Sequence, residues 1–180
     1  MPTTKQTALL QSFLSSLDDQ TRPLYQSLAD TLQDLGYQPK KEKSNISFKH
    51  DRHNKQMAKM GVRTTKAKGT SPFFSLRFSA CRGYSQRIAD IIFAYTEQYP
   101  AREARCVTGA CNYCQGEAET HVYTCTAPDG QTRMHCGAFA IEIPAIAAED
   151  LAELKKLIGD EHSYLMEHEA GVAAESAASE

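Results

Sequence analysis

The run F-F-S-L-R-F-S, Phe73 to Ser79, alternates without a break: Phe74, Leu76 and Phe78 share one side, and Ser75, Arg77 and Ser79 share the other. Successive side chains of a strand point to opposite faces, so this pattern predicts an antiparallel strand with one face buried and one wetted. Upstream, Ile46 and Phe48, then Ala58, Met60 and Val62, alternate in the same way around the polar run Asp51-Arg52-His53-Asn54-Lys55. That run predicts a hairpin turn between two further strands, with His50 and His53 solvated beside it. Lys66 to Pro72 predicts a loop. Downstream, Tyr84, Ile88, Ile91, Ile92 and Tyr95 recur at helical spacing up to Pro100, whose predecessor avoids the helical region. Gly137 to Ile143 is extended again, with Phe139, Ile141 and Ile143 on one side, and Pro144 ends it.

Outside this block the period is helical. Leu10, Phe13, Leu14 and Leu17 predict a first helix from Thr4 to Leu17. Leu24, Leu28, Leu32 and Leu35 predict a second, begun by the Asp18-Asp19 and Thr21 region and stopped at Gly36. Glu149 to about Glu167 predicts a last helix carrying Leu151, Leu154, Ile158 and Leu165, with His162 and His168 as surface positions. The fold class is α+β, an antiparallel sheet packed with helices. A single domain is expected over 1–170: a helical hairpin at 1–36, sheet and helix at 40–100, a cysteine-rich module at 106–143 and a C-terminal helix at 148–168. The Ala/Ser/Glu-rich end, 171–180, has nothing large to bury and is expected to be a disordered tail.

The 180 residues are 41% hydrophobic and 23% charged, ordinary for a soluble domain. Met1 to Leu10 lacks the pattern of a secretory signal, and no stretch reaches the roughly 18 apolar residues of a membrane helix, so a cytoplasmic protein without membrane contact is expected. Charge is unevenly spread: twelve Lys/Arg against Glu42 and Asp51 in 39–82, then nine acids against Lys155 and Lys156 in 148–180. A basic 39–82 face, with Lys40, Lys41, Lys43, Lys49, Arg52, Lys55, Lys59 and Arg63, would suit an anionic partner or nucleic acid, or simply solvate the sheet.

Five of the six cysteines fall between Cys106 and Cys136, in C-V-T-G-A-C-N-Y-C-Q-G-E-A-E-T-H-V-Y-T-C-T-A-P-D-G-Q-T-R-M-H-C. Cys111-x-x-Cys114 can aim two sulfurs at one ion from a tight turn. Beyond it, Asp129-Gly130 is a preferred pair for a two-residue hairpin. With that pair at the tip, Cys125 faces Met134 and Tyr123 faces Cys136. Cys125 and Cys136 then share a face, about 7–8 Å apart. A knuckle followed by a hairpin resembles the zinc-ribbon class of small modules over about thirty residues. A typical ribbon has a second C-x-x-C, whereas here Cys136-Gly137 stands alone.

The metal ligands expected are Cys111, Cys114, Cys125 and Cys136, holding structural zinc, with Cys106 the alternative to Cys125. His121 shares strand parity with Cys125 and is a further nitrogen donor to weigh, and His135 ranks below it. Cys81 is expected to be a buried free thiol.

No G-x-S-x-G, phosphate loop, dinucleotide fingerprint or H-E-x-x-H occurs. Three functional readings follow: a zinc-binding α+β module that binds or regulates a partner; a thiol-based redox sensor or oxidoreductase using Cys111 and Cys114; or a small-molecule enzyme with a pocket between sheet and helices, Arg77, Arg82, Tyr84 and Arg87 at its mouth. In the last, the Ser79–Ser85 junction would receive an anion, unless Ser85 is an ordinary helix cap.

Overall fold

A computed structural model describes residues 3–65, 69–111, 117–127 and 130–177, with only the backbone described for residues 65 and 169–177. Residues 128–129 of the expected turn at 127–130, and residues 112–116 with Cys114 of the C-x-x-C motif, lie outside the described residues.

Two helices open the chain, α1 (Thr4–Leu14) and α2 (Thr21–Asp34). Thr3 and Gln6 form a reciprocal cap on α1, each bonding the other's backbone N–H. Asp18 accepts from the Gln20 and Thr21 amides, so it organises the entry to α2. Four strands follow: β1 (Tyr37–Glu42), β2 (Asn45–His50), β3 (Gln56–Thr65) and β4 (Gly69–Leu76). Helix α3 (Gln86–Gln98) comes next, then the strands β5 (Val122–Thr126), β6 (Thr132–Cys136) and β7 (Ile141–Ile143), and finally α4 (Leu151–Ala177). The sheet order is β1-β2-β3-β4-β7, antiparallel at every pairing, and β5-β6 form a separate hairpin.

The antiparallel α+β class is therefore present, but β4 begins at Gly69, inside the expected loop, and ends at Leu76. Arg77 and Ser79, on the side expected to be wetted, are buried and held by Glu161. β1 was not expected. Its sequence Y-Q-P-K-K-E has Tyr37 as its one large apolar side chain, but an edge strand tolerates both the lost N–H of Pro39 and a run of lysines. The backbone of α4 also continues past Glu167, through residues of high helix propensity.

One buried cluster joins the layers. Tyr37, Phe48, Met60, Phe74, Leu76 and Ile141 meet Leu14 of α1, Leu28 and Leu32 of α2, and Leu154, Leu157, Ile158 and Leu165 of α4. The β5-β6 hairpin is tied to this body through Tyr123, which is 1% exposed. Its hydroxyl accepts from the Phe78 amide at 3.2 Å and donates to the Phe139 carbonyl at 2.9 Å.

Close packing continues at Gly137, where a Cβ would lie 2.0 Å from the His121 carbonyl oxygen and 2.4 Å from Ser79. Because one contact is backbone, a side chain there has no easy escape. Gly137→Ala is expected to destabilise by about 1–3 kcal/mol or more, the usual range for overpacking. Urea unfolding measures it, and a midpoint unchanged from wild type would contradict this docking.

Candidate functional site

The cysteine segment differs from expectation at its hairpin. Cys125 pairs with Arg133 and Val122 pairs with Cys136, one residue out from the predicted register. The Ala127 amide donates to the Gln131 carbonyl at 2.8 Å, and Gly130 takes φ 83°, so three residues rather than two make the connection. Gly at the left-handed position is the usual solution for a three-residue hairpin loop. A slip of one residue sends a side chain to the opposite face. Cys125 and Cys136 therefore lie on opposite faces of the hairpin.

Cys125 is turned into the core. It is 8% exposed, its sulfur lies 3.7 Å from Thr96 Oγ1 on α3, and it belongs to the main apolar cluster. Its face packs on α3 elsewhere too: His135 stands edge-on to Tyr95, and Arg133 pairs with Glu97.

Cys136 has other neighbours. The segment after α3 runs along the free edge of β6, with a bridge between Glu103 and His135 and the Ala104 amide donating to the Met134 carbonyl at 2.9 Å. It then turns sharply from Arg105 to Ala110, with Cys106 inside the turn and Cys111 just past it. Burial pushes the Cys106 thiol above its ordinary range, with Cys136 and then Cys111 adding to it in the same direction. Among the described residues, no three His, Cys, Asp or Glu side chains are already arranged to hold an ion, so the knuckle of a zinc ribbon is not seen. Cys81 is a buried thiol, its titration pushed up to about 12 by burial and then by Glu161 and Asp160.

A second constellation centres on Tyr37, where His50 and His53 are not simply solvated, as expected, but packed. His53 is 7% exposed. Its Nδ1 accepts from the Lys55 amide at 3.1 Å, so the ring proton sits on Nε2 and is donated to the Tyr37 hydroxyl at 3.3 Å. Tyr37 then donates to Nδ1 of His162 on α4, also at 3.3 Å. His50 stacks on His53 with ring centroids 4.9 Å apart and takes the Arg52 amide on its own Nδ1. Behind them, Glu161, fully buried, accepts from Arg77 Nε at 2.7 Å, the Ala80 amide at 2.7 Å and Ser79 Oγ at 3.2 Å. His121 is 2% exposed, and neither ring nitrogen has a hydrogen-bond partner among the described residues. The H-x-x-H spacing of His50 and His53 was the visible signal; their convergence with a histidine more than one hundred positions later was not.

Burial favours the neutral imidazole at His162 and at His121. Desolvation lowers the titration of His162, with His50 adding to it, and desolvation with the Arg77 charge lowers that of His121. The unfolded chain therefore binds protons first as pH falls through about 6.5, the ordinary histidine value. Stability is full above that pH and is lost from there down to the folded-state values, by at most about 1.4 kcal/mol per pH unit for each group. His162→Gln is expected to flatten the slope of stability between pH 6.5 and 5.5. An equal slope in wild type and variant would remove His162 from the account.

The expected pocket mouth is not a mouth. Arg77 is buried against Glu161, Arg82 donates to the Ser79 and Cys81 carbonyls, Tyr84 donates to the Thr124 carbonyl at 3.0 Å, and Arg87 clamps Asp150 and the Pro144 carbonyl. Ser85 is the ordinary cap of α3, its hydroxyl accepting from the Ile88 amide. The basic strands are partly neutralised as well: Lys40 pairs with Asp51, Lys59 with Glu42 and Arg63 with Glu142. That pairing lowers the unopposed charge on which a nucleic-acid partner would depend. No described helix is long and apolar enough to cross a membrane.

Compared with known proteins, the chain matches no family model, no curated protein and no solved structure.

Proposed function

We propose that the chain is a binding module whose cysteine segment is closed by one structural zinc ion, with Cys106 taking the place first given to Cys125. The ligand set is then Cys106, Cys111 and Cys136, completed by Cys114 from the C-x-x-C motif. The observation that supports it is the docking of the 103–111 segment along β6, which brings the chain that carries Cys106 and Cys111 to the strand that ends in Cys136, while the hairpin register turns Cys125 into the core. Thiolates crowded together repel one another, and a divalent cation among them reverses that field. A four-sulfur set is of the closed, structural kind, and its binding free energy adds directly to folding of a segment poor in apolar side chains. The zinc would hold Pro100–Gly137 against α3, and the partner would be met elsewhere on the domain.

Elemental analysis of protein purified under reducing conditions is expected to give about one zinc per chain, with four cysteines protected from thiol reagents. Protein that carries no stoichiometric metal and readily oxidises Cys111 with Cys114 would instead support dithiol–disulfide cycling.

A further inference from the structure

Between α3 and the β4-β7 edge of the sheet lies a cleft of about 380 Å³, at the small end of the range for ligand cavities. Its lining is part apolar, from Ile91, Ala94 and Ile141, and part charged, from Arg63, Arg102 and Glu142. Arg63 and Glu142 are already paired at 2.7 Å. Arg102 is not paired with a carboxylate among the described residues. Its guanidinium carbon lies 4.2 Å from the Tyr99 ring centroid, 4.5 Å from that of Phe139 and 5.6 Å from that of Tyr95. Its Nη1 donates to the Tyr95 hydroxyl at 2.7 Å.

A guanidinium has five N–H donors in a planar fork that matches a carboxylate, and stacking on rings fixes the plane of that fork in advance. Here the rings and the Tyr95 hydroxyl occupy the faces and one donor, and the remaining donors have no acceptor among the described residues. Phe139, 40% exposed, is kept at the surface by this stack rather than buried. The charge of the lining selects further. Two guanidiniums and one carboxylate leave a single net positive charge, and Glu142 repels a second negative charge on the ligand. A monoanion fits this balance better than a phosphate dianion, and Ile91 and Ala94 with the Tyr99 ring call for a flat hydrophobic body.

We propose that this cleft binds a small organic monocarboxylate with a ring-sized apolar body, its carboxylate held by Arg102. No cysteine lines the cleft, and titration with carboxylates reads this site while metal content is measured separately on the same preparation.

The test is titration of the full chain with benzoate and phenylacetate, and separately with inorganic phosphate, followed by the shifts of amide resonances or by calorimetry. Saturable binding of at least one carboxylate is expected, with phosphate at least tenfold weaker. Arg102→Met should weaken carboxylate binding at least tenfold. Ala94→Phe, at an exposed position of α3, should fill the cleft and do the same without disturbing the core. Absence of saturable binding by both carboxylates overturns the proposal, as does phosphate binding as tightly or binding that survives in both variants.

Discussion

Glu161→Ala is expected to destabilise the protein by about 3–5 kcal/mol, the usual cost of leaving one member of a buried ion pair without its partner. Glu161 is fully buried and Arg77 nearly so, with side-chain exposures of 0% and 8%. Removing the carboxylate strands three donors at once: Arg77 Nε, the Ala80 amide and the Ser79 hydroxyl. At the scale of this chain, 1 kcal/mol corresponds to about 2–4 °C, so a fall of roughly 10 °C in melting temperature is expected. The double variant Arg77→Met with Glu161→Leu separates charge from hydrogen bonding. It should recover part of the loss, because no buried charge remains, yet stay below wild type because the Ala80 amide is still unpaired, at about 1–3 kcal/mol. A single variant that loses less than 1 kcal/mol in urea unfolding would show that water reaches this pair.

The second large effect concerns the metal. Zinc present at a thousand times its dissociation constant contributes about 4 kcal/mol, or roughly 10 °C in melting temperature at this chain length. Chelation under reducing conditions should therefore lower the transition by that amount, and added zinc should restore it. The β5-β6 hairpin stays anchored through Tyr123 and Gly137, so the loss is expected first in the 103–111 segment. Faster amide exchange there, with α3 unaltered, is the expected pattern. Chelation without any shift would remove the ion's structural role.

Much of the fold was legible because its large apolar side chains keep to one side of each element, even where the other side is buried as well. Phe74, Leu76 and Phe78 alternate, Leu28 and Leu32 recur at helical spacing, and each pattern has one geometric solution with an apolar face inward. β1 carried no such signal, since an edge strand made of Gln38, Pro39, Lys40 and Lys41 takes its conformation from β2 rather than from its own side chains. The hairpin register failed for a different reason. Asp129-Gly130 favours a two-residue turn locally, but Gly130 instead closes a three-residue loop, and the face of Cys125 is set by packing against Thr96. The Tyr37 histidines were hidden by distance along the chain: His50 and His53 border a polar turn, and only the approach of α4 brings His162 to the same hydroxyl. Arg102 was hidden likewise, because Tyr95, Tyr99 and Phe139 surround it from two separate segments.

The measurement that bears most directly on the metal-clipped reading is zinc content per chain in wild type, Cys106→Ala and Cys125→Ala, each purified under reducing conditions without added metal. The reading predicts about one zinc in wild type, about one in Cys125→Ala, and far less in Cys106→Ala. Zinc kept by Cys106→Ala and lost from Cys125→Ala, or absent from all three, would contradict it.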